Sequence, residues 1–304
     1  MNSDIIIENL TAQFIRAEGN VAAVRGVSVT LKRGQVTGIV GESGSGKSVL
    51  GMAILRLLPD NADVSGKIIF EGENILAKSE KDMLKLRGSR LGLIPQSPSE
   101  SLNPAVKIRR QVTEIFTLRK RVPNAEESAR KLLERFQLPD VDRCMNGYGF
   151  QLSGGMKQRV VTAFGVGASP EWIIADEPTK GLDSVLAGQV REVLREISKT
   201  ANMLLITHDL SLAQSICDVV IVMNNGHILE QGDILKNPYH QYTKGLLEST
   251  PAGGMKAMPL VQDAPDGDLC PICGWCPQRE SDCNKQLPPL AEVDGRKVRC
   301  WRYA

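Results

Sequence analysis

The stretch Gly41-Glu42-Ser43-Gly44-Ser45-Gly46-Lys47-Ser48 constrains this chain more than any other, because it reads as a phosphate-binding loop set between a strand and a helix. Before it, Val36-Thr37-Gly38-Ile39-Val40 is a short run rich in β-branched residues, the pattern of a buried parallel strand. After it, apolar residues at helical spacing run from Ser48 to Leu58, and Pro59 stops the helix. The glycines let the backbone curl so that successive N–H groups point inward, and the helix N-terminus adds partial positive charge. In a loop of this kind the backbone from Gly41 to Val49 wraps a chain of phosphates. Lys47 reaches the outer two, and the Ser48 hydroxyl ligates Mg²⁺.

The rest of the chain is expected to serve that loop. With 304 residues it can bury a full core, and one large domain with an appendage is expected. A formal charge of +2, from 37 basic and 35 acidic residues, shows no global bias toward nucleic acid or a membrane surface. No stretch approaches the roughly 18 to 20 apolar residues that span a bilayer, and no signal-peptide pattern is seen, so a soluble cytoplasmic chain is expected. Of seven cysteines, Cys144 and Cys217 stand apart, while Cys270, Cys273, Cys276, Cys283 and Cys300 crowd the C-terminal end. In a reducing compartment such crowding suggests a metal before a disulfide.

Read in order, Ile5-Ile6-Ile7 opens a first strand and Val27-Ser28-Val29-Thr30-Leu31 alternates as a half-buried one. A strand pair is expected over residues 65–73, with Gly66 and Gly72 marking its turns, and Leu91-Gly92-Leu93-Ile94 is a strand that ends at Pro95-Gln96. Residues 97–165 read as a helical insertion; Ala129, Leu132, Leu133 and Phe136, for example, share one helix face. Three buried strands follow, ending at Asp176, His208 and Met223, with a helix over 185–199 and a hairpin turn at Asn224-Asn225-Gly226. Strands alternating with helices predict an α/β fold with a mainly parallel, doubly wound sheet, preceded by antiparallel N-terminal strands. Pro251-Ala252-Gly253-Gly254 reads as a linker, giving an expected division into residues 1–250 and a Cys-rich extension over 251–304.

Ligands of open α/β sheets gather at the carboxyl ends of strands, which is where Asp176, Glu177 and His208 fall. Asp176 can hold Mg²⁺ through its water shell, and Glu177 can polarise a water for in-line attack on a terminal phosphate. A lone histidine after a strand is more often structural, so His208 gains a role as phosphate sensor only from its company. Ser153-Gly154-Gly155-Met156 opens another helix and offers a second anion site, although a serine there is equally an ordinary helix cap.

Together the loop over 41–48, Gln96, Leu152-Ser153-Gly154-Gly155-Met156, Asp176-Glu177, Gly181-Leu182-Asp183 and His208 resemble, in order and approximate spacing, the ATPase subunits of ABC systems over roughly residues 1–235. The resemblance implies ATP and Mg²⁺ as ligands and a pair of subunits that enclose each ATP between one chain's phosphate loop and the other's Ser153-type signature. It also implies that Gln96 couples Mg²⁺ and the attacking water to a membrane partner, that Asp183 crosses the subunit interface, and that an aromatic, here Phe14, stacks on adenine. Phe14 is also compatible with an ordinary core position.

Ser97-Pro98-Ser99-Glu100-Ser101-Leu102-Asn103-Pro104, Met156 in place of glutamine, and Asn237-Pro238-Tyr239-His240-Gln241-Tyr242-Thr243 are similar to the ATPase subunits of dipeptide, oligopeptide and nickel importers. Lys180-Gly181 departs from many of these. The likeness implies transport of peptides, nickel or a metal chelate, with a homologous ATPase (a heterodimer), two transmembrane permeases and an extracytoplasmic substrate-binding protein, at the cytoplasmic face of the membrane. No nucleic acid partner is implied. The runner-up is a soluble, non-transport ABC ATPase acting on nucleic acid, ribosomes or iron–sulfur assembly. Cys270, Cys276, Cys283 and Cys300, with Cys273 as alternate, resemble the tail cysteines of these importers and imply a [4Fe–4S] cluster, with Zn²⁺ as the alternative. A tail so poor in apolar residues is expected to need that metal as its core.

Overall fold

The computed structural model describes residues 3–120, 122–259 and 269–304. The chain divides into two compact units, one of Met1–Ala77 with Ile206–Ala304 and one of Lys78–Leu205. In chain order the strands are β1 (Ile5–Phe14), β2 (Val21–Leu31), β3 (Val36–Val40), β4 (Ala62–Phe70), β5 (Glu73–Asn74), β6 (Leu91–Ile94), β7 (Trp172–Asp176), β8 (Asn202–Thr207), β9 (Val219–Asn224), β10 (His227–Gly232), β11 (Leu290–Val293) and β12 (Arg296–Arg299).

In the first unit β1, β2, β4 and β5 form an antiparallel sheet in the order β2-β1-β4-β5. Along β1 the buried positions are Ile5 and Ile7, then Leu10 and Ala12, so the inward alternation slips by one residue. The slip is absorbed by a bulge. Pairing with β4 passes from Glu8↔Lys67 to Thr11↔Ser65, and both Asn9 (φ 47°) and Gly66 (φ 100°) adopt left-handed backbone. Gly66 therefore lies within a strand and not at the turn expected of it. A side chain there would meet the Asn9 carbonyl oxygen at 2.5 Å. The turn falls to Gly72 (φ 81°), between β4 and β5.

The same unit carries a second set of strands, ordered β11-β12-β10-β9-β3. All five residues of β3 are buried, and it pairs in parallel with β9 through Val40↔Val222. The expected hairpin joins β9 to β10; Asn225 (φ 45°) and Gly226 (φ 77°) both take the positive φ that a two-residue turn between twisted strands requires. The helix after the phosphate loop runs over Lys47–Leu55, ending a turn before Pro59.

In the second unit β7 pairs in parallel with β6, in the order β8-β7-β6. The expected helical segment is present as Pro98–Ser101, Ile108–Glu114, Ala125–Arg135, Val141–Asn146 and Gly154–Gly167. Ala129 and Leu133 of Ala125–Arg135 are fully buried, as the spacing predicts. Gly154–Gly167 lies against β6 so closely that a side chain at Gly165 would meet the Leu93 carbonyl oxygen at 2.5 Å. Antiparallel N-terminal strands, parallel central pairs and a helical insertion are thus all found.

The C-terminal residues fold differently from the expectation of a tail built around a metal. Cys270, Ile272, Cys273 and Cys283 are buried in one core cluster with Val220, Val222, Leu229, Tyr242 and Leu246. β11 and β12 extend the sheet beyond β10, with Val298 fully buried opposite Glu230. Arg296 donates to the Asn237 carbonyl at 2.6 Å and lies 5.3 Å from the centre of the Tyr239 ring. The tail is poor in apolar residues because it shares a core already supplied by β9, β10 and the helix Gln241–Glu248. The supposed linker is a short helical turn, Pro251–Gly253, tied by the Gly253 N–H to the Thr250 hydroxyl at 3.1 Å.

His240 starts the helix Gln241–Glu248, its Nδ1 accepting the Tyr242 N–H at 3.1 Å. Burial, reinforced by the charges of Arg299 and Lys244, depresses its pKa to about 4 from an ordinary 6.5. Between those values the unfolded chain binds more protons than the folded one, so this residue's contribution to stability is lost as pH falls through the window. Glu230, whose pKa burial raises, acts in the opposite sense. His240→Asn keeps a capping acceptor and removes the titration. From pH 6.5 to 4, urea midpoints should show the wild type losing up to about 1.4 kcal/mol per pH unit relative to this variant. Parallel pH profiles would contradict the assignment.

Candidate phosphate-binding site

The loop over residues 41–48 leaves the buried end of β3 and closes on the first turn of Lys47–Leu55. Three glycines take left-handed or extended positive φ: Gly41 at 152°, Gly44 at 82° and Gly46 at 98°. They serve two purposes. A side chain at Gly41 would meet the Met223 carbonyl oxygen at 2.1 Å, and one at Gly46 the Ala23 carbonyl oxygen at 2.1 Å, so these two permit the loop to be pressed between β9 and β2. Gly44 has nothing within 4 Å and faces open space. The turn after β9 supports the floor, where the Gly226 N–H donates to the Ser45 carbonyl at 3.1 Å.

Glu42, Ser43 and Gly44 form an exposed lip, whereas Ser45, Gly46 and Lys47 are buried. The Lys47 ammonium donates to the Gly41 carbonyl at 2.9 Å, the Glu42 carbonyl at 2.6 Å and the Ser45 hydroxyl at 3.2 Å. A buried ammonium needs such acceptors, and here the loop itself supplies them. No acidic residue occupies the first turn of Lys47–Leu55, so nothing there offsets the positive helix end. An exposed lip, an open Gly44 and a caged cation are a fit for a polyphosphate. Ser48, half-buried in the first helical turn, supplies the hydroxyl a Mg²⁺ ion bound with it would use, and Val49 follows in the same turn.

The other predicted residues of the first unit are Phe14 and His208. Phe14 is the last residue of β1, paired with Val21 and Ala62 and partly buried. His208 is exposed directly after β8, just before Asp209 caps the helix Leu210–Ile216.

The second unit brings several predicted residues to one sheet edge. Because Ile94 pairs with Ala175 in parallel register, Gln96 and the Asp176-Glu177 pair leave the same end of neighbouring strands. Asp176 and Glu177 are both buried, and Glu177 holds a left-handed φ of 47°, a conformation that costs a non-glycine residue about 1–2 kcal/mol. Ser153 is the cap of Gly154–Gly167, its hydroxyl accepting the Met156 N–H at 3.4 Å. Gly154 faces open space, whereas a side chain at Gly155 would meet Leu186 at 2.8 Å. Asp183 caps Ser184–Ser198, accepting from the Val185 and Leu186 N–H groups at 3.0 Å each.

In the tail all five cysteines are free thiols. Burial pushes the Cys270 thiol up to about 12, aided by Cys283, Cys276 and Cys273, and raises Cys276 and Cys300, each with a further contribution from Cys283. Cys270, Cys273 and Cys283 lie in one core cluster, with Cys276 packed against it. Among the described residues, however, no three His, Cys, Asp or Glu side chains are drawn together in an arrangement that could hold a metal ion.

One contact at the loop escaped sequence reading. The Tyr242 hydroxyl accepts the Glu42 N–H at 3.2 Å and donates to the Glu42 carboxylate at 3.2 Å, across 200 positions of sequence. Only the similarity of residues 237–243 to importer subunits singled out this segment, and it carried no role for the tyrosine.

Comparison with known proteins agrees with this geometry. A sequence model of the family described as ABC transporter matches residues 24–180. A probable peptide ABC transporter ATP-binding protein of Sinorhizobium fredii is 36% identical, covering 97% of this chain and 94% of its own length. The oligopeptide transport ATP-binding protein OppD of Bacillus subtilis is 38% identical, covering 97% and 87% respectively. Among solved structures, cbiO1 from Clostridium perfringens, part of the ABC transporter complex cbiONQ, superposes with a TM-score of 0.62 and 29% identity, over 77% of this chain and 89% of its own. With a phosphate loop of this geometry and relatives matching nearly its whole length, the chain belongs to the ABC transporter family.

Proposed function

We propose that the chain is the ATP-hydrolysing subunit of an importer for peptides. The observation that carries the reading is the loop over 41–48, a cradle with a caged lysine and an open glycine lip. The named peptide-transport relatives give the substrate class; nickel and metal chelates, which the sequence likeness also implied, find no counterpart in those names.

The loop amides and the helix N-terminus bind the β- and γ-phosphates, and Lys47 exchanges its carbonyl partners for phosphate oxygens. Ser48, Gln96 and Asp176 would hold a Mg²⁺ ion that enters with ATP, and that ion would supply charge neutralisation at the phosphates. Glu177 orients and polarises the attacking water, and its strained backbone fixes the direction of the carboxylate. His208 reads the terminal phosphate, and Phe14 stacks on adenine. Ser153, Gly154, Gly155 and Met156 present a helix N-terminus to the ATP held by a second ATPase subunit, and Asp183 lies at the contact between the two. Catalysis is positioning and charge neutralisation, so each residue acts by being held in place.

No helix among the described residues is long and apolar enough to cross a membrane. From the likeness to peptide-transport ATP-binding proteins we place the subunit peripherally, at the cytoplasmic face, against two transmembrane permeases fed by an extracytoplasmic binding protein. A homologous ATPase, forming a heterodimer, completes the assembly. The finer proposal for the tail is that Cys270, Cys276, Cys283 and Cys300, with Cys273 in reserve, hold a [4Fe–4S] cluster, or Zn²⁺ in the alternative. The reading rests on the likeness of the tail cysteines to those of importer subunits, and among the described residues these side chains are not drawn together as a metal site. Since the tail packs into a core it shares with β9, β10 and the helix Gln241–Glu248, such a metal is an addition to the fold and not its foundation.

In the assembled complex, Glu177→Gln should retain MgATP binding and reduce turnover by at least about a hundredfold, with the nucleotide-bound pair of ATPases persisting in gel filtration. Wild-type hydrolysis by that variant would refute the assignment, and stable co-purification with ribosomes in place of membrane partners would refute transport. Anaerobically purified chain should contain iron at about four atoms per protein, or one zinc. Neither metal in stoichiometric amount would end the cluster proposal while leaving the ATPase reading intact.

A further inference from the structure

The lip of the phosphate loop is held from outside by residues absent from the loop motif. Glu42 is exposed, yet both its N–H and its carboxylate are engaged by one phenol hydroxyl, that of Tyr242, at 3.2 Å each. Tyr242 itself is fixed. It is 1% exposed, its N–H is donated to His240 Nδ1, and Asn224 at the end of β9 also bonds its hydroxyl. A buried phenol carries a large rigid ring and a single polar tip, and here that tip both donates and accepts toward the same residue of the loop.

The C-terminal residues close around this contact. Glu42, Ser43, Gly44 and Ser45 form one wall of a cavity of about 290 Å³, and Tyr242, Ile272 and Trp275 stand among the residues of the others. Trp275 and Met258 both pack at Gly245, one turn along the tyrosine's own helix; a side chain at Gly245 would meet the Met258 sulfur at 2.7 Å. The tail thus fixes the helix that presents the phenol.

We propose that Tyr242 is a positioning residue for phosphate binding, holding Glu42 so that the lip from Ser43 to Ser45 keeps its open form and the Glu42 carboxylate is restrained by a hydrogen bond beside the anion cradle. The inference rests on the nucleotide reading given above. Its physical content is preorganisation: a flexible lip loses entropy when phosphates bind, and an unrestrained carboxylate repels them. One hydroxyl meets the first cost in advance and lessens the second, since the hydrogen-bonded carboxylate keeps its charge but is held in one place. The tail's packing is thereby connected to the loop through a rigid ring.

The test is calorimetric titration of the full-length chain with MgATP, for the wild type, Tyr242→Phe, Glu42→Ala and the double variant, with unfolding midpoints recorded alongside. Phenylalanine keeps the ring and removes only the hydroxyl. Tyr242→Phe should weaken MgATP binding about five- to tenfold, the scale of hydrogen bonds to a charged or backbone group. In the Glu42→Ala background the tyrosine substitution should cost less affinity than in the wild type, because only the contact to the residue-42 N–H remains for the hydroxyl to make. Amide exchange at Glu42 should also accelerate in Tyr242→Phe. Binding within twofold of wild type, or affinity losses that simply add, would overturn the inference, as would an affinity loss that tracks a general drop in the unfolding midpoint without faster exchange at Glu42. Should Tyr242→Phe fail to fold, Asn224→Ala loosens the same hydroxyl and must weaken MgATP binding in the same direction, or the inference falls. A wild-type chain that binds no MgATP would overturn the nucleotide reading itself, whereas unchanged affinity in the variants overturns this inference alone.

Discussion

A buried ammonium surrounded by the carbonyls of its own loop is the constraint on which the site depends. Lys47 is 6% exposed, and without the Gly41 and Glu42 carbonyls its charge would carry a desolvation cost of several kcal/mol. Those carbonyls turn toward it only because Gly41 and Gly46 adopt backbone conformations closed to other residues and tolerate contact with Met223 and Ala23. Strands that are distant in sequence therefore exist, in part, to press on the loop. β9 supplies Met223, the turn after it supplies the Gly226 N–H, and β2 supplies Ala23. When an anion arrives, the ammonium can exchange acceptors with little motion, so the folding cost of burying it has already been met.

The same economy extends to the C-terminal residues. Their strands lengthen a sheet that would otherwise end at β10, covering an edge that would be open to pairing. Their few apolar side chains complete a core begun by β9 and the helix Gln241–Glu248. Desolvation opposes the thiolate in the buried Cys270 and in the half-buried Cys276 and Cys300. Only a cation that replaces the protons would reverse this, which is why metal analysis and not thiol reactivity is the informative measurement for the tail.

What was legible in the sequence was local. The loop over 41–48 announces itself through eight adjacent residues, and the strands that end at Val40, Asp176 and Thr207 through short β-branched or apolar runs bounded by polar residues. Non-local partners decided the remainder. Gly66 reads as a turn until Asn9, 57 positions earlier, bulges against it. β11 and β12 are too short and too charged to be recognised apart from β10, which accepts them. Tyr242 shows nothing of its contact with Glu42, since hydrogen bonds across 200 residues leave no periodicity. Conversely, the family resemblance gives Ser153 and Asp183 roles toward a second subunit, and within the single chain each caps a helix, Asp183 closely at 3.0 Å and Ser153 loosely at 3.4 Å. A cap and a contact made in an assembly can use the same oxygen at different times.

The account stands or falls on whether the caged lysine is a phosphate ligand. Equilibrium titration of the full chain with MgATP, beside Lys47→Ala, addresses it directly. One nucleotide should bind per chain, and the substitution should weaken binding by about ten- to a hundredfold while circular dichroism shows the fold retained, the scale expected when a charge-assisted contact to phosphate is removed. Equal affinity in the two proteins would mean that the loop over 41–48 is not where the nucleotide is held.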